Sequence, residues 1–591
     1  VNGAELITDF LVRARVPYVV GLCGHGDIGL LDALAARRED IPFISVQHEA
    51  AAGFIADAYY RVARRPLATL TSCGPGSAQL LVALGAALMD SSALVAITGN
   101  VPAGQFGRAP FQELGRHFQA DFPAAVRPFV KRSFQATRAD QLPLMLRQAY
   151  TTAVGGRPGP VNLDVPLNVF AEPVPETPGG KTEPPAAIPR SAAAARDVEA
   201  AVTLLLDARR PVIVVGAGAA DGADPDAVAR DLAALAAEAG LPVASSPAGK
   251  DLAPGNALGV TGRNGTYQAN RATRQADVLL ALGTRFDDRS ASSWLPGYTY
   301  AIPPARLVHV HADPAELNRN YPAEIAVAAT PGEVLAQILH AVRARRDAGD
   351  ERARAPARRA WLARIAEWRK EWEQHTSFGL NEDSGPLRPE RVLAELRAIL
   401  PARGILLADV GAHHNWIVQQ WVPGGPGTLL QSWGYAAMGF GVAGALGARL
   451  AAPGRPVVAV VGDGGFLMLP SAVATAVEYD LPAVWLVWNN GGFISIRDQQ
   501  RAYFGRDYAT SFTRPCDFAA MARSMGADGM RVSTPADLGA ALAAALDSGR
   551  PTVVDVPVDA ETPQPAVGTW DLPPLPHPEP TFGWPDRGDP A

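Results

Sequence analysis

The stretch VVAVVGDGGFLMLPSAVATAVEYDLPAVWLVWNNGG, Val457 to Gly492, sets an aspartate among glycines after one apolar run and closes a second run on two asparagines. VVAVV and AVWLVW are short, β-branched or aromatic, and not alternating, which predicts strands of a parallel sheet covered on both faces. Between them LPSAVATAVEY carries apolar residues at helical spacing, so strand, helix and strand form one βαβ crossover. Sheets of this kind bind ligands beyond the carboxyl ends of their strands, where Asp463 and the Asn489–Asn490 pair fall. A hard divalent cation takes oxygen ligands. The Asp463 carboxylate, the Asn490 amide oxygen and a backbone carbonyl near Gly492 supply three of an octahedron and leave the rest to phosphate oxygens and water. Magnesium holding a diphosphate is the expected occupant. Gly462, Gly464 and Gly465 let the backbone come close to phosphate, and the helix that follows offers it a positive end.

The remainder of the chain bounds this reading. With 591 residues, 48% of them hydrophobic, it has material for about three or four domains. A net charge of −6 without a basic stripe sets aside nucleic acid and anionic membrane surfaces as partners. No apolar stretch reaches the length of a membrane span, and the first residues, VNGAELITDFLVRARV, read as an amphipathic helix and not as a signal peptide, so a cytoplasmic location is expected. Cys23, Cys73 and Cys516 are far apart and read as reduced, buried thiols.

Proline-rich seams divide the sequence. Residues 1–172 alternate strand and helix and run into the linker EPVPETPGGKTEPPAAIPR. A second α/β domain is expected over 191–345, with strands in PVIVVG, DVLLALG and RLVHVHAD, followed by an Arg/Glu-rich helical connector with a solvated, mixed-charge face. The third spans 384–560 and contains the opening stretch. The tail, 561–591, is too rich in proline for helix or sheet; its Trp570, Phe582 and Trp584 suggest an extended arm packed over the mouth of a site.

GDG, then 24 residues, then NN, with strand, helix and strand between, resembles the diphosphate-binding motif of the thiamine diphosphate enzymes. The resemblance implies three doubly wound α/β domains with parallel sheets, the cofactors thiamine diphosphate and Mg2+, and a homodimer or homotetramer, since in that family the first and third domains meet across a subunit boundary. It also implies a buried glutamate that bonds the pyrimidine ring of the cofactor, and Glu49 in FISVQHEAAAGFIADAYYR holds the matching place between strand and helix. Within the family the patterns are most similar to acetolactate synthase. On that likeness Gln112 in FQE and Lys131 in VKRSF stand with Glu49 as catalytic residues. Gly411, His413 and His414 in ADVGAHHNW meet the diphosphate, and Met438 in SWGYAAMGFG wedges between the cofactor rings. GRNGTYQANRATRQADVLLALGTRFDDR resembles the flavin-contacting stretch, which implies FAD in the central domain, although several relatives keep this fold without flavin.

The departures lie in the substrate pocket. GLCGHGD replaces the usual proline and paired glycines and brings in His25, and Gln499 stands near the position of the acceptor-selecting tryptophan. GHG, GPG and AGK also resemble trihydroxycyclohexanedione hydrolase. Two reaction classes therefore stay open: decarboxylation and carboligation of a 2-ketoacid, or lyase and hydrolase cleavage of a cyclic dione or 2-hydroxyacyl-CoA. A third reading, a nucleotide-binding oxidoreductase or non-catalytic flavin protein, draws on VVGAGAADG near Gly216, which lacks the full dinucleotide fingerprint.

Overall fold

The computed structural model describes the chain apart from residues 114–120, 175–182, 186–187, 189, 256, 378–385 and 564–591. The proposed arm with Trp570, Phe582 and Trp584 lies outside the described residues.

Among the described residues, seventeen strands form three parallel sheets. The first holds β1 (Val19–Gly21), β2 (Phe43–Ser45), β3 (Leu67–Thr71), β4 (Leu94–Asn100), β5 (Arg132–Gln135) and β6 (Val161–Pro166) in the order β2-β1-β3-β4-β6-β5. The second holds β7 (Pro211–Val215), β8 (Val243–Ser245), β9 (Val278–Leu282), β10 (Arg306–His311) and β11 (Ile325–Ala328) in the order β11-β10-β9-β7-β8. The third holds β12 (Ile405–Ala408), β13 (Leu429–Gln431), β14 (Val457–Gly462), β15 (Val484–Asn489), β16 (Asp528–Arg531) and β17 (Thr552–Pro557) in the order β13-β12-β14-β15-β17-β16. Counted from its own first strand, the third sheet repeats the order of the first. Central strands such as β3, β4 and β15 are buried along almost their whole length, which is why their sequences run apolar without alternation.

The connector is less solvated than its composition suggests. Helix Arg359–Thr376 turns Trp361, Ile365, Trp368 and Trp372, spaced three to four residues apart, into the core of the second domain, and only its opposite face is charged.

The first and third domains are joined through two helices, Glu49–Ala63 and Phe440–Ala451. Their seam is made of small residues: a Cβ added at Gly444 would stand 3.2 Å from Ala58 Cβ, and one at Gly447 only 2.1 Å from the Ile55 carbonyl oxygen. The contact runs backwards along the first helix as it runs forwards along the second, so the helices are antiparallel. Arg61, near the end of the first, lies 4.8 Å over the ring of Phe440, which opens the second. Sheets one and three consequently point their carboxyl edges in opposite directions. Ser45, at the carboxyl end of β2, donates its N–H to the Tyr479 hydroxyl at 2.8 Å, close to where β15 begins.

Replacing Gly447 by Ala forces the helices apart and should cost about 1–3 kcal/mol of unfolding free energy in urea titration. Gly454→Ala, at a position with nothing within 4 Å of the added carbon, should stay within about 0.5 kcal/mol of the parent.

Candidate active site

One half of the site is the carboxyl edge of the third sheet. β14 delivers Asp463, whose Oδ1 accepts the Gly464 N–H at 2.7 Å and whose Oδ2 accepts Gly491 and Gly492 N–H at 2.7 and 3.0 Å. The carboxylate thus ties the end of β14 to the turn after β15. That turn needs glycine: Gly491 has φ +79°, and a Cβ at Gly492 would stand 2.2 Å from the Thr510 carbonyl. Burial raises the Asp463 pKa while the backbone N–H groups pull it down. Asn489 is committed to structure, its amide donating to Asp555 at 2.9 Å. Asn490 is half-buried beside Asp463.

A second carboxylate that the sequence reading passed over organises the rest of this edge. Asp409, just past β12, accepts N–H bonds from Gly439 at 3.0 Å and Gly441 at 3.1 Å, and so holds the first turn of the helix Phe440–Ala451. Burial lifts its pKa to about 6. Met438, half-buried, immediately precedes that turn. His413 lies between the loops: Cβ atoms at Gly411 and Gly462 would stand 2.8 and 3.2 Å from its Cε1. Its Nε2 is buried without a hydrogen-bond partner. His414 faces away, its Nε2 3.0 Å from Gln431 Oε1 and its ring edge-on to Trp433. Burial depresses these histidines to about 4 and about 3, so both are neutral near pH 7. Of the expected pair, His413 alone borders the cradle.

The cradle suits a magnesium diphosphate. It has the Asp463 carboxylate, a neighbouring amide, glycine loops at Gly411 and Gly462–Gly465, and an unpartnered imidazole nitrogen. Among the described residues no cluster of three or more His, Cys, Asp or Glu could hold a metal, so a cation at Asp463 depends on phosphate oxygens to complete its shell.

The other half is the carboxyl edge of the first sheet. His48 caps the helix, its Nδ1 accepting the Ala50 N–H at 3.1 Å, and Glu49 follows in the first turn, buried. A Cβ at Gly76 would stand 3.1 Å from Glu49 Oε1, which places the carboxyl against the start of helix Pro75–Met89. The loops after β1 and β3 meet here. His25 Nε2 lies 3.3 Å from Cys73 Sγ, and the His25 ring stands 5.7 Å from that of Phe111. Gln112 adopts φ +64° with its carbonyl against Gly74, whose N–H donates to Glu113 at 3.0 Å. Glu49, His25 and Gln112 therefore share one edge, and Cys73, assigned no chemistry from the sequence, joins them. Cys23 is exposed and Cys516 half-buried, so only Cys73 meets the expectation of a buried thiol.

Lys131 does not join them. It precedes β5 and so sits at the amino edge of the sheet, where its Nζ donates to the Gly155 and Arg157 carbonyls at 2.8 and 2.7 Å. Burial lowers its pKa to about 8. In a parallel sheet a residue before a strand and a residue after one lie at opposite edges, and the local match of VKRSF does not reveal which. Gln499 stands half-buried on helix Ile494–Phe504, which leads directly from the Gly491–Gly492 turn.

Between the two domains, the carboxyl edge of the central sheet forms a cleft where VVGAGAADG and RFDDR meet: Gly218, Gly283, Thr284, Arg285 and His311 line it, with Arg61 of the first domain and Gln431 of the third. The charged residues of RFDDR are engaged with protein. Asp288 accepts from Arg263 at 2.9 Å, Asp287 from Trp433 Nε1 at 3.2 Å, and Arg289 donates to Asn415 at 2.6 Å.

Comparison with known proteins agrees with this geometry. The models of the thiamine pyrophosphate enzyme N-terminal TPP binding domain, central domain and C-terminal TPP binding domain match residues 1–121, 198–338 and 409–556. The chain belongs to the thiamine pyrophosphate enzyme family. Among curated relatives, the acetolactate synthase large subunit of Parasynechococcus marenigrum is 33% identical over 573 residues, 94% of this chain and 88% of that protein. A probable acetolactate synthase large subunit of Methanocaldococcus jannaschii is 31% identical (94% and 92% covered), and the isozyme 3 large subunit of Escherichia coli is 30% identical (94% and 95%). The protein is thus a thiamine diphosphate-dependent enzyme of acetolactate synthase type.

Asp463 is the carboxylate we propose for the cation, so Asp463→Ala should abolish magnesium-dependent thiamine diphosphate binding in calorimetry while circular dichroism stays unchanged. Unaltered cofactor affinity would remove Asp463 from the site.

Proposed function

We propose that the protein binds thiamine diphosphate with Mg2+ between two copies of the chain and makes carbon-carbon bonds from 2-ketoacids. The observation that carries this reading is the opposed orientation of the two half-sites. Helix Phe440–Ala451 is 12 residues long, roughly 18 Å at about 1.5 Å per residue, and it separates the Asp463 edge from the Glu49 edge within one chain. A two-fold partner supplies the missing half to each, which yields an isologous homodimer, or a homotetramer built from two.

In this arrangement Asp463, Asn490 and the Gly492 carbonyl hold the cation, and Gly411, Gly464, Gly465 and His413 border the diphosphate. Met438, half-buried before the turn that Asp409 holds, would pack against the cofactor's rings. When bound, thiamine diphosphate supplies an electron sink for cleavage or formation of a bond beside a carbonyl. Glu49 holds a proton at the pyrimidine ring nitrogen, inside a buried pocket that keeps water from competing for it. Gln112, His25 and Gln499 face the substrate. The central cleft is the place for FAD, and Gly218 and Gly283 let two of the loops that line it pack against each other. Three free thiols suit a reducing, cytoplasmic compartment.

One observation favours a second reading. The mouth beside Glu49 carries His25, Cys73 and Gln112 where an alkyl ketoacid would call for apolar walls, so cleavage of a hydroxylated cyclic dione or a hydroxyacyl thioester is the alternative. Products from pyruvate with and without an aldehyde, against those from a cyclic dione and a hydroxyacyl-CoA, separate the two.

Glu49→Gln should retain cofactor affinity and lose about 10²–10⁴-fold in turnover. Exchange of the thiazolium proton with deuterated water isolates that step from the identity of the substrate. Exchange in the variant as fast as in the parent would reduce Glu49 to a helix-terminus residue.

A further inference from the structure

The mouth of the first-domain half contains a contact that the reading above leaves without a role. Cys73, 1% exposed, places its Sγ 3.3 Å from His25 Nε2. The loops around the pair are locked. Gly26 N–H donates to Ser72 Oγ at 3.1 Å, Gly24 N–H to Asp27 at 2.9 Å and Gly74 N–H to Glu113 at 3.0 Å. A Cβ at Gly24 would stand 2.5 Å from Ser72 Oγ, and one at Gly26 3.3 Å from Cys73 Sγ, so the two loops are closely packed. The Phe111 ring, tilted by 42°, flanks His25.

Burial raises the Cys73 thiol pKa, and the charges of Glu113 and Asp27 act in the same direction, so the sulfur keeps its hydrogen at neutral pH. Ser72 Oγ, 4.0 Å away, can only donate weakly to the sulfur. A protonated thiol can offer its S–H to His25 Nε2, and whether that nitrogen accepts depends on the tautomer of the imidazole. In a neutral imidazole one nitrogen accepts and the other carries the hydrogen, and the bond made by the first decides the second.

We propose that Cys73 is a positioning residue that fixes His25 as its Nδ1–H tautomer, and that this N–H hydrogen-bonds the carbonyl oxygen of the acceptor substrate. The acceptor half rests on the function proposed above; the tautomer half does not. As the acceptor carbonyl carbon takes the new carbon-carbon bond, its π pair moves onto the oxygen, where Nδ1–H stabilises the developing charge until the proton of the acyl unit's own hydroxyl passes to that oxygen; the acyl carbonyl re-forms and the bond that carried the acyl unit breaks, its electron pair staying with the carrier. A neutral imidazole polarises a carbonyl in this way without surrendering its proton. The acyl unit is therefore left for the acceptor instead of being released, protonated, as aldehyde.

The test uses the full-length enzyme loaded with thiamine diphosphate and Mg2+, carrying 15N-histidine, with the His25 signals identified by their loss in His25→Gln. The expected spectrum has the hydrogen on Nδ1. Cys73→Ala should move it to Nε2, and Cys73→Ser, whose hydroxyl can still donate, should keep it on Nδ1. In Cys73→Ala the ratio of ligated product to free aldehyde should fall about fivefold, the size of one neutral hydrogen bond; Cys73→Ser should recover most of the ratio. A parent spectrum with the hydrogen on Nε2 overturns the proposal without need of any variant. An Nδ1–H signal that persists in Cys73→Ala removes Cys73 from the role. A tautomer that switches while the product ratio stays constant overturns the acceptor half. If no acceptor is ligated even by the parent enzyme, the carboligase reading fails, and the spectra still decide the tautomer.

Discussion

Everything in this molecule depends on the glycine seam between helices Glu49–Ala63 and Phe440–Ala451. Gly444 and Gly447 let the second helix approach the first to backbone contact, closer than any side chain would permit. Two consequences follow from the antiparallel sense of that contact. Two sheets of identical strand order are set back to back with their carboxyl edges reversed, and the two candidate half-sites of one chain stand apart, as the proposed two-fold assembly requires.

The seam is held at one end by buried charge. Asp57 and Asp90 flank Arg61: its Nε is 2.7 Å from Asp57, and a terminal nitrogen is 3.2 Å from Asp90. The guanidinium also donates to the Gln431 carbonyl at 2.5 Å, while Asp90 accepts the Trp433 and Gly434 N–H groups at 3.1 and 2.9 Å. The end of β13 is thereby sewn to the first domain. Burial raises the Asp57 pKa and Arg61 opposes it. A network of this kind adds little net stability but is costly to break in part, because a lone buried charge remains. Its value is directional: it admits one docking of the third domain on the first.

How far the sequence discloses this depends on whether the deciding contact is local. Asp463 and the asparagine pair are legible because strand runs, glycines and spacing sit within a single βαβ unit, and Glu49 because a strand end leads directly into its helix. Asp409 is not, since its partners Gly439 and Gly441 lie some thirty residues onward in a different loop. Lys131 misleads because a short motif carries no sign of which sheet edge it occupies. The Trp361, Trp368 and Trp372 stripe has helical spacing, but the charged residues around it mask it in the sequence. His414 shows the same limit: adjacent residues on a helix face different ways, one to the cradle and one to Gln431.

The claim that two chains share each site can be tested by mixing two variants that are each inactive. One carries Glu49→Gln and keeps Asp463; the other carries Asp463→Ala and keeps Glu49. Co-expressed and freely assorted, half of the dimers are hybrids, and each hybrid contains one intact site built from the good halves of both chains. The account predicts recovery of about a quarter of the parent activity, from a two-fold assembly with two sites. No recovery, with hybrids demonstrated by mass spectrometry of the intact assembly, would contradict it, because both halves of every site would then come from the same chain.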